Sequence, residues 1–219
     1  MILNDRFLFI HIPKTGGKSV FAALSHLDNR GHRSPLGRIA RRLGLRRPPL
    51  KARLRRHDTL QTVHRLTTGL DVFSFAVVRD PYAHAVSHYR HLKSQNKNRT
   101  FARLTETRTL AEFLRWRADA PPASRLLENK NLFFAKLPSQ SAFVTLNGTL
   151  AVNRILKLET LEEDFRSLCD DLDLGPVALP RINVNLTAPP VHIDEEATAL
   201  INQIYHDDFD TFGYPRRGI

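Results

Sequence analysis

FLFIHIPKTGGKS, residues 7–19, is the stretch whose reading decides the fold. Phe7, Leu8, Phe9, Ile10 and Ile12 make an apolar run of the length and character of a buried parallel strand. Pro13 has no amide hydrogen to give to a ladder and stops the strand. Gly16 and Gly17 let the backbone turn tightly and approach a ligand. Lys18–Leu27 then reads as a helix with Val20, Phe21 and Leu24 on its apolar face. A strand, a glycine turn and a helix in that order aim backbone N–H groups at a phosphate. Lys14, Thr15, Lys18 and Ser19 add charge and hydroxyl donors around the same point.

Gly17-Lys18-Ser19 matches the close of a nucleotide triphosphatase P-loop. That pattern needs an earlier glycine where Ile12 stands, inside the strand. The loop here is shorter, with Lys14 at its tip.

A second signal comes from residues 72–89, VFSFAVVRDPYAHAVSHY. Val72, Phe73, Phe75, Ala76, Val77 and Val78 read as another buried strand. Arg79 falls at its carboxyl end, where open α/β sheets bind ligands. Asp80 suits the cap of the next helix and Pro81 its first turn. Ser87 lies near the second turn. A guanidinium at a strand end and a hydroxyl on the following helix can converge on one phosphate, each charge-assisted hydrogen bond contributing about 1.5–3 kcal/mol.

HIPKTGG resembles the 5′-phosphosulfate loop of sulfotransferases that use 3′-phosphoadenylyl sulfate, nearest the carbohydrate branch that includes the heparan sulfate 2-O-sulfotransferases. That family often has Thr or Ser where this chain has Lys18. Arg79-Asp80-Pro81 with Ser87 and Tyr89 resembles the 3′-phosphate motif of the same enzymes. The resemblance implies an α/β fold, a P-loop-like parallel sheet flanked by helices. It implies that Lys14, Thr15, Gly16, Gly17, Lys18 and Ser19 hold the 5′-phosphate and that Arg79 and Ser87 hold the 3′-phosphate. Lys14 is the expected catalytic cation near the bridging oxygen, and no metal is implied. Weaker likenesses run through Pro138-Ser139-Gln140, LETLEEDF, RINVNLT and DFDTFGYP, with Arg181, Asn183, Asn185 and Thr187 able to fold over a nucleotide.

Sulfuryl transfer needs an aligned donor, a cation at the leaving oxygen and a base for the acceptor proton. Histidine suits the last task, since its ordinary pKa lies near working pH. His57, at the head of HDTLQTV, resembles the family's His-x-Thr segment and is the expected base. His64 is the runner-up. His11 reads as a core or supporting group. His84, His88 and His91 share one helix face and read as surface or acceptor-facing residues, metal binding being a lesser alternative.

The net charge of +11 is concentrated. Arg30, Arg33, Arg38, Arg41, Arg42, Arg46, Arg47, Lys51, Arg53, Arg55 and Arg56 follow one another without an Asp or Glu. This segment, about 29–56, reads either as a solvated insertion with a short helix near 36–43 or as a collar for an anionic acceptor. The rival functions are a P-loop nucleotide kinase or NTPase and a basic nucleic-acid-binding protein. The first lacks the early glycine, and the second lacks aromatics among the charges. No nucleic-acid partner is therefore expected.

Residues 1–219 read as a single domain with a real core. No apolar run reaches the length of a membrane span, and the first residues do not resemble a signal peptide, so a cytoplasmic enzyme is expected, with peripheral membrane contact left open. Cys169 is the only cysteine and reads as a small buried hydrophobe. The sequons at Asn98, Asn147 and Asn185 read as chance. Further helices are expected over 58–68, 104–116 and 124–137, a strand over 154–158, and an amphipathic helix carrying Leu161, Phe165, Leu168 and Leu172. A last helix capped by Asp194 buries Ala197, Leu200, Ile201 and Ile204.

Overall fold

The computed structural model describes residues 1–29, 54–67, 71–94, 107–118, 137–182 and 189–218. In chain order the elements are β1 (Ile2–Leu3), β2 (Phe7–Ile10), α1 (Gly17–Leu24), α2 (Leu60–Leu66), β3 (Phe73–Val78), α3 (Pro81–Lys93), α4 (Leu110–Ala118), α5 (Ser141–Val144), β4 (Thr145–Leu146), β5 (Thr149–Leu150), β6 (Arg154–Lys157), α6 (Leu161–Asp171), α7 (Glu195–Ile204) and α8 (His206–Phe212). The basic stretch 30–53, the expected helices near 36–43 and over most of 124–137, and Asn183, Asn185 and Thr187 lie outside the described residues. Contacts divide the chain into two compact units: Met1–Val78 with Ala142–Val184, and Arg79–Ser141 with Asn185–Ile219.

The first unit is an α/β layer. Its sheet runs in the order β1-β2-β3-β6. β2, β3 and β6 are parallel, with Phe9 opposite Phe75 and Ala76 opposite Ile155. β1, which the sequence reading did not foresee, folds back antiparallel so that Ile2 faces Phe9. The cause is an Asn turn: the Asn4 side-chain oxygen accepts from the amides of Arg6 and Phe7 at 2.9 and 2.8 Å. Alternation along the strands puts Phe7, Phe9, Phe75, Val77 and Leu156 on one face. There they pack against Val20 and Leu24 of α1 and Leu161, Phe165 and Leu168 of α6. Leu8, Ile10, Ala76 and Val78, on the opposite face, are equally buried, which explains why these strands read as unbroken apolar runs. Cys169 is buried in this core as expected, and burial raises its thiol pKa. A small hairpin of β4 and β5, also unforeseen, turns on Asn147 and Gly148, whose positive φ values (51° and 82°) suit a tight two-residue turn.

The second unit is helical. Asp80 caps α3 by accepting from the Ala83 amide at 2.8 Å, with Pro81 in the first turn. α4 begins later than the sequence suggested, because Thr109 and Glu112 form a reciprocal capping pair. The Glu112 amide donates to the Thr109 hydroxyl at 3.1 Å, and Glu112 Oε2 accepts from the Thr109 amide at 3.5 Å. Asp194 caps α7 as expected, accepting from the Ala197 amide at 2.7 Å. It is not the last helix. The chain turns at Tyr205 into α8, which ends on left-handed Gly213. Tyr82, Leu92, Leu110, Phe113, Leu114, Ile201 and Phe209 fill the core of this unit.

Candidate active site

β2 ends at Ile10, and the chain crosses to α1 through His11–Gly16. Lys14 stands at the tip of this loop, half-buried, with φ at 69°. A left-handed lysine costs about 1–2 kcal/mol, the kind of strain that a loop keeps when its shape is needed. Thr15 is fully buried, and its hydroxyl donates to the Ile12 carbonyl at 3.0 Å, closing the loop on itself. Gly16 caps α1 in the left-handed region (φ 82°) without a side-chain hydrogen bond to the first turn. The first turn also holds no acidic residue. α1 therefore opens with backbone N–H groups that no side chain caps, and the helix dipole adds positive potential at the same end.

Gly16 meets the expectation of a tight turn through its positive φ, and both glycines carry a steric requirement besides. A Cβ on Gly16 would come within 2.5 Å of Leu158 Cδ1, and one on Gly17 within 2.5 Å of His11 Cδ2. Both press inward on protein, so the helix start is seated against the Leu158 side chain and the His11 ring. Lys18 is exposed on the first turn of α1. Ser19 is buried, and its hydroxyl oxygen accepts from the Ile182 amide at 3.3 Å, which ties Ile182 to the start of α1. Arg181, beside it, is exposed and pairs with Glu162 at 3.2 Å.

His11 links this loop to His57. The His11 carbonyl can only accept, so His57 donates to it from Nδ1, at 2.8 Å. The two rings meet edge-on with centroids 4.7 Å apart. The bond fixes the tautomer and leaves Nε2 as the ring atom with the lone pair. Burial is the main force on the His57 pKa and brings it from 6.5 down to about 4, partly opposed by the bond to His11. The positive charges of the amino terminus, Arg56 and Lys18 contribute to that lowering. His57 is thus a neutral imidazole at pH 7. Burial likewise holds His11 well below its ordinary value. His64 lies on α2 and is exposed.

In the second unit, Arg79 is half-buried directly after β3, and Ser87 is half-buried on α3. The backbone of Arg79 is held by a side chain that the sequence reading gave no role. Gln140 Oε1 accepts from the Arg79 amide and Gln140 Nε2 donates to the Arg79 carbonyl, both at 2.8 Å. Asp208 in turn holds Gln140. Both residues fall in segments noted for family likeness, PSQ and DFDTFGYP, yet a lone Gln or Asp there carries no spacing signal. His84 and His88 correct an expectation: neither is on the surface. Both are fully buried, with their rings edge-on to Tyr205 and Phe113 at 5.7 and 5.2 Å. Among the described residues no group of three or more His, Cys, Asp or Glu could hold a metal ion.

A lysine-tipped loop thus leaves the carboxyl end of β2 and feeds a helix start with no side-chain cap, and comparison gives the class. A model of the sulfotransferase family matches residues 2–215. The chain belongs to that family and is a transferase. No curated protein and no solved structure matches the chain. Among the described residues, no helix is long and apolar enough to cross a membrane.

Proposed function

We propose that the chain moves a sulfuryl group from 3′-phosphoadenylyl sulfate to a hydroxyl of a carbohydrate, as in the heparan sulfate 2-O-sulfotransferase branch that its motifs resemble. The observation that carries this reading is the tie between His57 and the loop after β2: a neutral imidazole with its tautomer set by the same segment that offers the anion site. Such a donor supplies an activated sulfur with a phosphate as leaving group.

The amides that open α1, with Lys18 and Ser19, bind the 5′-phosphate. Arg79 and Ser87 bind the 3′-phosphate. His57 Nε2 takes the proton of the acceptor hydroxyl as its oxygen bonds to sulfur. Lys14 stabilises the charge that gathers on the bridging oxygen as the sulfur–oxygen bond breaks. The departing species is then adenosine 3′,5′-bisphosphate, the acceptor carries the sulfate, and the proton rests on His57. A pKa near 4 makes a weak base in the free enzyme; negative charge beside the ring on donor binding raises it toward the working range. The leaving group is stable as an anion, and we expect no metal. The basic segment 29–56 is assigned to an anionic acceptor, within a single catalytic domain over 1–219.

Thermal-shift titration with adenosine 3′,5′-bisphosphate, ATP-Mg and an oligonucleotide tests the assignment. Stabilisation by the bisphosphate is expected. A response to ATP-Mg with none to the bisphosphate rules the donor out.

A further inference from the structure

Gln140 and Asp208 form a buried relay that ends on the backbone of Arg79. Both are fully buried. The Gln140 amide makes the pair of bonds with Arg79 that a neighbouring strand would make, one to the N–H and one to the carbonyl, each 2.8 Å. Asp208 Oδ2 accepts from the Gln140 backbone amide at 2.9 Å and from its Nε2 at 3.3 Å. Asp208 Oδ1 accepts from the Ser141 amide at 2.8 Å. The network admits one amide orientation. Nε2 must face the carboxylate and Oε1 the Arg79 N–H, so a flipped amide loses all three side-chain bonds. Packing alone would be served better by apolar side chains, since a buried carboxylate is costly to desolvate. What the relay adds is a fixed peptide at the point where the chain passes from β3 to the Asp80-capped start of α3.

We propose that Gln140, held by Asp208, is a positioning residue that sets the direction of the Arg79 side chain and so the affinity for a 3′-phosphate. This rests on the role of Arg79 proposed above. The Gln140 side chain bonds buried Asp208 on one side and the Arg79 backbone on the other, so its loss is felt by ligands that use Arg79 more than by others.

The test compares adenosine 3′,5′-bisphosphate with adenosine 5′-phosphate by titration calorimetry in the wild type, Gln140→Met, Asp208→Asn, Arg79→Ala and the Gln140→Met/Arg79→Ala double variant. Gln140→Met, which keeps side-chain length without the amide, is expected to weaken the bisphosphate at least about tenfold while changing the monophosphate less than about twofold. Asp208→Asn is expected to show the same selectivity at smaller size. In the Arg79→Ala background, Gln140→Met should have no further effect. Equal weakening of both ligands, or of neither, overturns the inference, as does failure of both Gln140→Met and Asp208→Asn to fold. If Arg79→Ala removes the preference for the bisphosphate and Gln140→Met keeps it, the relay is wrong and the Arg79 assignment stands. If Arg79→Ala itself keeps the preference, both fall.

Discussion

The Nδ1–H of His57 is bonded to the backbone carbonyl of His11 at 2.8 Å, and the His11 ring in turn backs the first residue of α1, Gly17. A candidate base and a candidate phosphate loop are therefore parts of one rigid contact. Disturbing either end should be felt at the other.

Removing the imidazole separates binding from chemistry. His57→Ala is expected to lower turnover of labelled donor by about 10²–10⁴-fold, the usual worth of a positioned general base. Calorimetry should find the affinity for adenosine 3′,5′-bisphosphate nearly unchanged. Retained turnover would move the base role to His64 or to another group.

Acid should destabilise the protein through the same histidine. Unfolded, His57 takes its proton below about pH 6.5; folded, it does so only near pH 4. Between those values the unfolded state holds more protons, so stability falls as pH falls through the window, by up to about 1.4 kcal/mol per pH unit for each such group. His11, lowered in the same direction, steepens the slope. Urea melts from pH 7 to 5 should show the decline, and His57→Gln should flatten it. A slope unchanged in the variant would mean that other groups carry the acid sensitivity.

Gly17→Ala tests the seat of α1 on His11. At this first helical position alanine gains at most about 1 kcal/mol in helix propensity. The new methyl would stand 2.5 Å from His11 Cδ2 and 2.8 Å from Nε2, inside a packed core. Overpacking of that kind costs about 1–3 kcal/mol, so the net change should be destabilising. Turnover should fall as well, because the displaced His11 ring lies edge-on against the His57 ring, with centroids 4.7 Å apart. A stabilised, fully active variant would contradict the packing described.

Asp194→Ala provides a contrast at a helix cap that has no assigned part in the chemistry. It removes the cap of α7, which accepts from the Ala197 amide at 2.7 Å. The expected loss is about 1 kcal/mol, or about 2–4 °C in Tm, with donor affinity unchanged. Calorimetric melting and a binding titration on the same sample would check both.

Much of this was legible in local pattern. Phe7–Ile10 and Phe73–Val78 were legible as strands because short, largely apolar runs bounded by turn signals suit a sheet buried on both faces. Asp80, Pro81 and Asp194 announced helix starts through chemistry contained in the next three residues. The cap formed by Thr109 and Glu112 was equally local and was overlooked, which set the start of α4 too early. The histidines of α3 were misread for another reason: their spacing gives a shared face but not what covers it. Tyr205 and Phe113, distant in the chain, bury that face.

The sequence by itself determined the order of strand, phosphate-type turn and helix, and the residue types at the turns, because these depend on backbone preferences and short-range periodicity. Only the tertiary structure decided what the faces of Gly16 and Gly17 press against, which nitrogen of His57 carries the proton, and that Gln140 and Asp208 hold Arg79. Apart from the His11 ring beside Gly17, which is near in sequence, each of these turns on atoms brought within a few ångströms by remote chain. Hydrogen bonding and steric exclusion act at that range, and the linear pattern has no term for it.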